Sequence, residues 1–292
     1  MFDDRSCRRI SRMVRTGECA SLAELQQALM RSGFPAVSRE TVRHVLLESH
    51  MRASVMRKKP MLTSGQKKTR LDWAVAHADW TIDQWSRVLF SDETRIARVS
   101  ARGRHYVWHS VSDPNPLHGI VPTLRFGGGS VSIWACMCSR GLGWACRIVE
   151  TLDSALYVNI LNDEMSWSAS WFFGNEPFIF QQDNSSVHTA HVVSQWFDEH
   201  KVDVLNWPSQ SPDLNPIEHF WAELKRRIAR RPIVRNSADL WTQVQLVLDE
   251  FWAPSGAAYC LKLVQSMPSR VQAVIRAKGG SHAILTKRLS PG

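Results

Sequence analysis

Two short apolar runs each end on an aspartate: Arg87-Val-Leu-Phe-Ser91 leads into Asp92, and Pro177-Phe-Ile-Phe-Gln-Gln182 leads into Asp183. Polar residues follow both, Glu93-Thr94 and Asn184-Ser185. Runs of this length, bounded in this way, read as buried strands. In open α/β sheets the crevice beyond the strand ends is where sites form. If the two strands are neighbours, their carboxylates meet, and at least one pKa rises unless a cation lies between them. Hard carboxylate oxygens suit Mg²⁺. Taken singly, either aspartate reads equally well as a strand cap or the start of a turn.

A third carboxylate stands at a helix start. Asn215-Pro216-Ile217-Glu218 places an N-cap asparagine, a proline at the first helical position and an acid three residues after the cap. Alone, Glu218 is explained as a capping-box partner. The preceding string Trp207-Pro208-Ser209-Gln210-Ser211-Pro212-Asp213-Leu214 is not. A stiff, proline-rich approach to a helix fixes a carboxylate at a set angle.

Around these residues, strands alternate with helices from residue 87 onward. Further strands are expected at Tyr106–Trp108, Val131–Cys138, Trp144–Glu150 and Val202–Asn206. Helices are expected from Ser154 to about Trp167, from Ala190 to His200 and from Ile217 to Arg230. Residues 112–130, with Pro114, Pro116, Pro122 and Gly127-Gly128-Gly129, read as a loop. The glycine run lacks the GxxxxGK[ST] pattern of a phosphate-binding loop, so no nucleotide cofactor is implied.

The N-terminal part differs in charge. Residues 1–75 hold 15 Lys/Arg against 7 Asp/Glu, net +8, whereas the other 217 hold 21 against 20, net +1. A basic module joined to a nearly neutral body suggests a polyanion partner, although a solvated basic face explains the charge as well. Residues 1–50 read as three short helices: Asp4 to Val14, a second opening at Ser21 with capping-box spacing to Glu24 and ending at Gly33 and Pro35, and a third capped by Ser38. The third buries Val42, Val45 and Leu46 and turns Arg39, Arg43 and His44 outward. This fits either a helix-turn-helix reader or a plain three-helix bundle. Arg57, Lys58 and Lys59 mark a basic linker, and a helix is expected from Thr63 to about Trp80, packed through Leu71, Trp73, Val75, Ala76 and Trp80. The six cysteines form no CxxC pair and no zinc spacing, and read as free thiols. The longest apolar run, Val131 to Cys138, is far short of a membrane span, and the first residues contain no secretory h-region.

The strings LFSDET (89–94), GGGSVSIWACMC (127–138), FQQDNSSVHTA (180–190) and NWPSQSPDLNPIEHFWAELKRR (206–227) resemble the core motifs of Tc/mariner superfamily transposases. Thirty-four residues separate Asp183 from Glu218, and a final glutamate at that spacing resembles the Tc branch. The resemblance implies an α/β RNase H-like catalytic domain, a mixed sheet flanked by helices, preceded by a small all-α helix-turn-helix domain. It implies Asp92, Asp183 and Glu218 holding two Mg²⁺ (or Mn²⁺) ions, one activating the attacking oxygen and the other stabilising the leaving oxygen. Asn184 and His188 match positions beside the second carboxylate, in contact with its surroundings or with DNA. Lys225 and Arg226, on the helix after Glu218, read either as phosphate contacts or as a solvated basic helix end. The partners implied are double-stranded DNA, as transposon ends and a TA target, and a second copy of the chain on that DNA. The nucleus is the implied compartment.

The expected domains are a helix-turn-helix at 1–50, a basic linker and helix at 51–85, the catalytic domain at 86–280 with a Gly-rich loop insertion near 109–130, and a tail at 281–292. Relatives usually carry two helix-turn-helix units, and residues 1–50 resemble only the second, so the first is expected to be absent. The implied activity is cut-and-paste transposition. The alternative is a truncated or domesticated copy that binds DNA and regulates without moving it.

Overall fold

The computed structural model describes residues 3–16, 18–19, 22–34, 37–49, 51, 62–98 and 129–281. The strand expected at Tyr106–Trp108, the glycines 127 and 128, the basic linker residues Arg57, Lys58 and Lys59, the Ser21 cap and residues 282–292 lie outside them. The chain divides into two units, Met1–Lys59 and Pro60–Gly292.

In the first unit, α1 (Asp4–Arg15), α2 (Leu22–Arg31) and α3 (Arg39–Glu48) close around Ile10, Met13, Leu25, Leu29, Val42 and Val45. Each residue sits at helical spacing, so every helix turns one apolar stripe inward. Ser38 caps α3 by accepting from the Thr41 N–H, as its sequence position predicts.

The second unit is built on a five-stranded sheet in the order β3-β2-β1-β4-β5. The strands are β1 (Val88–Ala97), β2 (Ser130–Cys138), β3 (Gly141–Ile148), β4 (Ile179–Gln181) and β5 (Asp203–Val204). β1–β2–β3 are antiparallel and β1–β4–β5 parallel. Alternation along β2 divides the core in two. Val131, Ile133, Ala135 and Met137 join the larger cluster, and Trp134, Cys136 and Cys138 join the smaller.

The smaller cluster lies under α6 (Ser154–Ile160), a π-helical turn (Leu161–Met165), α7 (Ser166–Phe173) and α8 (His191–His200). The larger lies under α4 (Ser64–Ala76), α5 (Ile82–Ser86), α9 (Ile217–Ile228), α10 (Ser237–Trp252), α11 (Pro254–Gln265) and α12 (Met267–Arg276). No helix among the described residues is long and apolar enough to cross a membrane.

Several boundaries differ from the sequence expectation. The helix expected to run to Trp80 stops at Ala76, because Thr81 and Gln84 form a capping box that starts α5. Val75 is 57% exposed; Trp73 is buried as expected, and it shares the buried face of α4 with Arg70 and Ala74. The third antiparallel strand begins at Gly141 rather than Trp144, since a bulge between Ala135 and Met137 resets its register. The helix read to Trp167 continues through the π turn to Phe173.

Candidate active site

β1 does not stop at Asp92. It runs on to Ala97, with Asp92 opposite Ala135 of β2, which corrects the expectation that this aspartate ends a strand. The antiparallel partner explains the difference, because it stays paired beyond the point where the parallel partner ends. β4 pairs only as far as Phe90↔Gln181, so Asp92 and Asp183 each lie two residues beyond the last parallel pair. That shared register brings the two aspartates to one crevice.

Glu218 arrives from the far side of the sequence. Its helix, α9, has Pro216 at the N-cap with no side-chain cap bond. Asn215 instead accepts from the Ile217 N–H at 3.2 Å and donates to the Ser91 carbonyl at 3.1 Å. The capping-box explanation of Glu218 is therefore replaced by a tether: the turn ahead of α9 is bonded to the residue before Asp92. Asp92, Asp183 and Glu218 line one cavity of about 400 Å³, together with Asn184 and the 207–212 loop. They are not drawn into a cage. Among the described residues, no three His, Cys, Asp or Glu side chains stand close enough together to grip an ion.

The three carboxylates have different electrostatic settings. Burial, with Glu218 and Glu93 nearby, pushes the Asp92 carboxyl from 3.8 up to about 8, and a hydrogen bond from Trp221 Nε1 to Oδ2 at 3.1 Å only partly offsets this. Asp183 is lowered instead, chiefly by His188, whose Nδ1 donates to Oδ1 at 2.7 Å, with the Ser185 N–H adding a bond at 2.9 Å. Glu218 is exposed to the cavity, whose walls still strip enough water to raise its pKa against the pull of Lys225 and Arg270.

His188 is 4% exposed and lies between two acids, with Nε2 at 3.3 Å from Glu93 Oε1. Burial alone would lower its pKa, but the hydrogen bond to Asp183 and the ion pair with Glu93 outweigh that and push it to about 9. It is thus an imidazolium at neutral pH, stacked on buried Tyr157 at 4.1 Å between ring centroids. Asn184 donates to the Trp207 carbonyl at 2.7 Å and so fixes the loop wall.

These shifts set a pH dependence. Between about pH 4 and 8 the folded protein holds a proton on Asp92 that the unfolded chain has released, so stability without metal falls as pH rises. His188 adds the same sign from 6.5 to about 9. In chelator, the melting temperature is expected to drop from pH 5 to pH 8. Asp92→Asn flattens the drop below pH 6.5, where His188 is protonated in both states. An unchanged slope in that variant contradicts the assignment.

Glu93 and Trp221 escaped the sequence reading, as did the buried arginines Arg70 and Arg270. Glu93 was visible only as the neighbour of Asp92, and the arginines lie far from any motif. Lys225 is exposed, whereas Arg226 is bonded to Glu223 and Arg227 to Glu223 and Glu250. In the N-terminal unit, Arg39, Arg43 and His44 are exposed, but Glu40 pairs with Arg43 at 2.7 Å and with His44 at 3.5 Å. The denser run of basic residues in this unit is on α1. That helix carries five arginines against one aspartate, and Arg5, Arg8, Arg9 and Arg12 are all exposed.

A mixed β3-β2-β1-β4-β5 sheet with carboxylates gathered at the end of its central parallel pair defines an RNase H-like enzyme of the Asp-Asp-Glu class. The comparisons agree. A family described as DDE superfamily endonuclease matches residues 87–240, and a transposase helix-turn-helix family matches residues 7–79. The chain is 35% identical over 274 residues to the Tc1 transposase of Caenorhabditis elegans, covering 93% of this chain and 97% of that one. It is 34% identical over 272 residues to the Tcb1 transposase of Caenorhabditis briggsae, with the same coverage. In fold it is similar to the Mos1 mariner paired-end complex with Mn, with a TM-score of 0.75 at 20% identity, over 97% of this chain and 80% of that one. The chain belongs to the Tc branch of the Tc/mariner transposases, and is an enzyme of cut-and-paste DNA transposition.

Proposed function

We propose that this protein cuts DNA at transposon ends and joins them to TA target DNA, with Asp92, Asp183 and Glu218 as the ligands of two divalent cations. The observation that carries the reading is the convergence of these three carboxylates, drawn from three distant segments, on one cavity. The donor set fits Mg²⁺ or Mn²⁺. All three side chains offer hard oxygens, and the crowding of Glu218 and Glu93 around Asp92 is a penalty that a cation removes. Mos1 structures are described with Mg and with Mn. When bound, the cations supply a polarised phosphate and an activated attacking oxygen.

The rest belongs to the chain's own residues. The His188 imidazolium holds Asp183 Oδ1. Trp221 holds one oxygen of Asp92. Trp207 and the proline-bracketed loop form the wall against which DNA would lie. Mg²⁺-dependent nicking of a supercoiled plasmid carrying the cognate ends tests the proposal, and equal nicking in EDTA overturns it. No observation favours the regulatory alternative. A second copy of the chain on paired ends and a nuclear location follow from this function.

DNA docking is assigned to the N-terminal unit, with α1 as its phosphate-facing helix alongside Arg39 of α3. Replacing Arg5, Arg8 and Arg12 by Gln is expected to weaken binding equally on cognate and unrelated duplexes. It should also make the salt dependence shallower by about 0.9 in slope per lost phosphate contact. An unchanged slope, read by fluorescence anisotropy across salt concentrations, removes α1 from the interface.

A further inference from the structure

We infer that Arg270, on the second-last turn of the last described helix, is a positioning residue for Glu218. The inference rests on the reading of Glu218 as a metal ligand. Arg270 is 1% exposed, and its guanidinium reaches under the turn that starts α9. Nη1 donates to the Asp213 carbonyl at 2.9 Å and the Asn215 carbonyl at 3.4 Å, while Nη2 donates to His219 Nδ1 at 2.7 Å. Nε is anchored on its own helix by Ser266 Oγ at 2.8 Å. The contacts fall five and three residues before Glu218 and one after it, so a single planar fork brackets the glutamate on both sides. Asn215 carries the constraint onward through its bond to the Ser91 carbonyl, next to Asp92. Glu218 and Asp92 are thereby tied into one frame, although 125 residues lie between them in sequence.

Two features argue that this arginine does more than pack a helix. Burying a guanidinium is costly unless charge lies nearby, and packing α12 against α4, α5 and α11 needs no charge. The acid closest in sequence to its contacts, Asp213, is held in a bidentate pair by Arg70, with both distances at 2.8 Å. Asp213, Tyr259 and Glu218 all act on the charge of Arg270, and of these Glu218 is the one that lines the cavity. In addition, the fork makes four hydrogen bonds from its five N–H donors. Its donors go to two carbonyls, an imidazole nitrogen and a hydroxyl, a pattern that a lysine ammonium on a flexible stem does not reproduce.

The test compares wild type, Arg270→Lys, Arg270→Gln, His219→Ala and Asp183→Ala as full chains. Mn²⁺ binding is followed by the electron paramagnetic resonance signal of the free ion, alongside nicking rate and affinity for transposon-end duplex. Residues around a metal's ligands typically change its affinity 10–100-fold when replaced. The half-saturating Mn²⁺ concentration is expected to rise by roughly that factor in Arg270→Gln and less in Arg270→Lys. His219→Ala, which removes one contact and leaves the buried charge in place, should show a smaller rise. Duplex affinity should be unchanged in all three. A purely structural role would lower the melting temperature and leave the Mn²⁺ curve of the folded fraction where it was. If Arg270→Lys and His219→Ala both fold and bind Mn²⁺ within twofold of wild type, the positioning role is overturned and the metal site stands. If wild type binds Mn²⁺ no better than Asp183→Ala, the metal site itself falls.

Discussion

Asp183→Ala is expected to abolish Mg²⁺- or Mn²⁺-dependent nicking while leaving DNA binding intact. Asp183 sits beyond the end of β4 with one oxygen held by His188 and the Ser185 N–H, and the residue lines the cavity. On the proposed reading, removing the carboxylate takes away a metal ligand and leaves the imidazolium beside an empty position. Metal assistance is worth several kcal/mol of transition-state stabilisation, and each 1.4 kcal/mol is tenfold, so the rate should fall by at least about a thousandfold. Duplex affinity is assigned to the N-terminal unit and should not move. Nicking by the variant at near wild-type rate would show that this aspartate is not a metal ligand.

Arg70→Met is expected to be the most destabilising of the changes considered for the larger unit. Arg70 is fully buried in α4 and holds Asp213 with two bonds of 2.8 Å. It also donates to Ser211 Oγ at 2.7 Å and to the Gly279 carbonyl at 2.9 Å. One side chain thus joins α4, the loop before Glu218 and the chain just after α12. Gly279 has φ +77°, and a Cβ there would meet the Lys67 carbonyl at 1.8 Å, so this corner accepts only glycine. Breaking a buried ion pair from one side typically costs about 3–5 kcal/mol, because the partner charge loses its counterion. Chemical denaturation measures that loss. Asp213→Asn in the Arg70→Met background should add much less than it does alone, since the two residues share one interaction. A loss below about 1 kcal/mol, the range of exposed pairs, would mean the pair is solvated.

Much of the site was legible because its signals are local. The apolar runs before Asp92 and Asp183 are strand-like by length and composition, and Val131–Cys138 is within one residue of the observed β2. The continuation of β1 was harder to see, because Thr94 and Ile96 are inward-facing but alternate with Glu93 and Arg95 in a stretch that looks polar throughout. Beyond Arg230 no helix is expected from the sequence, yet α10 carries an inward stripe of Leu240, Val244, Val247 and Phe251 at helical spacing. That stripe predicts a helix but not what it covers.

The arginines show the limit more sharply. Nothing near Arg70 or Arg270 in sequence marks either as buried, because their partners lie 143 and 57 residues away. Long-range polar pairs leave no periodic trace. On α3 the reverse holds. The i, i+3 and i, i+4 spacing of Glu40 to Arg43 and His44 is visible in the sequence and marks those cations as partly neutralised, which shifts the basic face to α1.

The measurement that bears most directly on the three carboxylates is an anomalous difference map from crystals of the protein grown with Mn²⁺. Density is expected in the cavity bounded by Asp92, Asp183 and Glu218, within coordination distance of their oxygens, and lost in Asp183→Ala. Manganese bound elsewhere, with these three side chains free of it, would contradict that expectation.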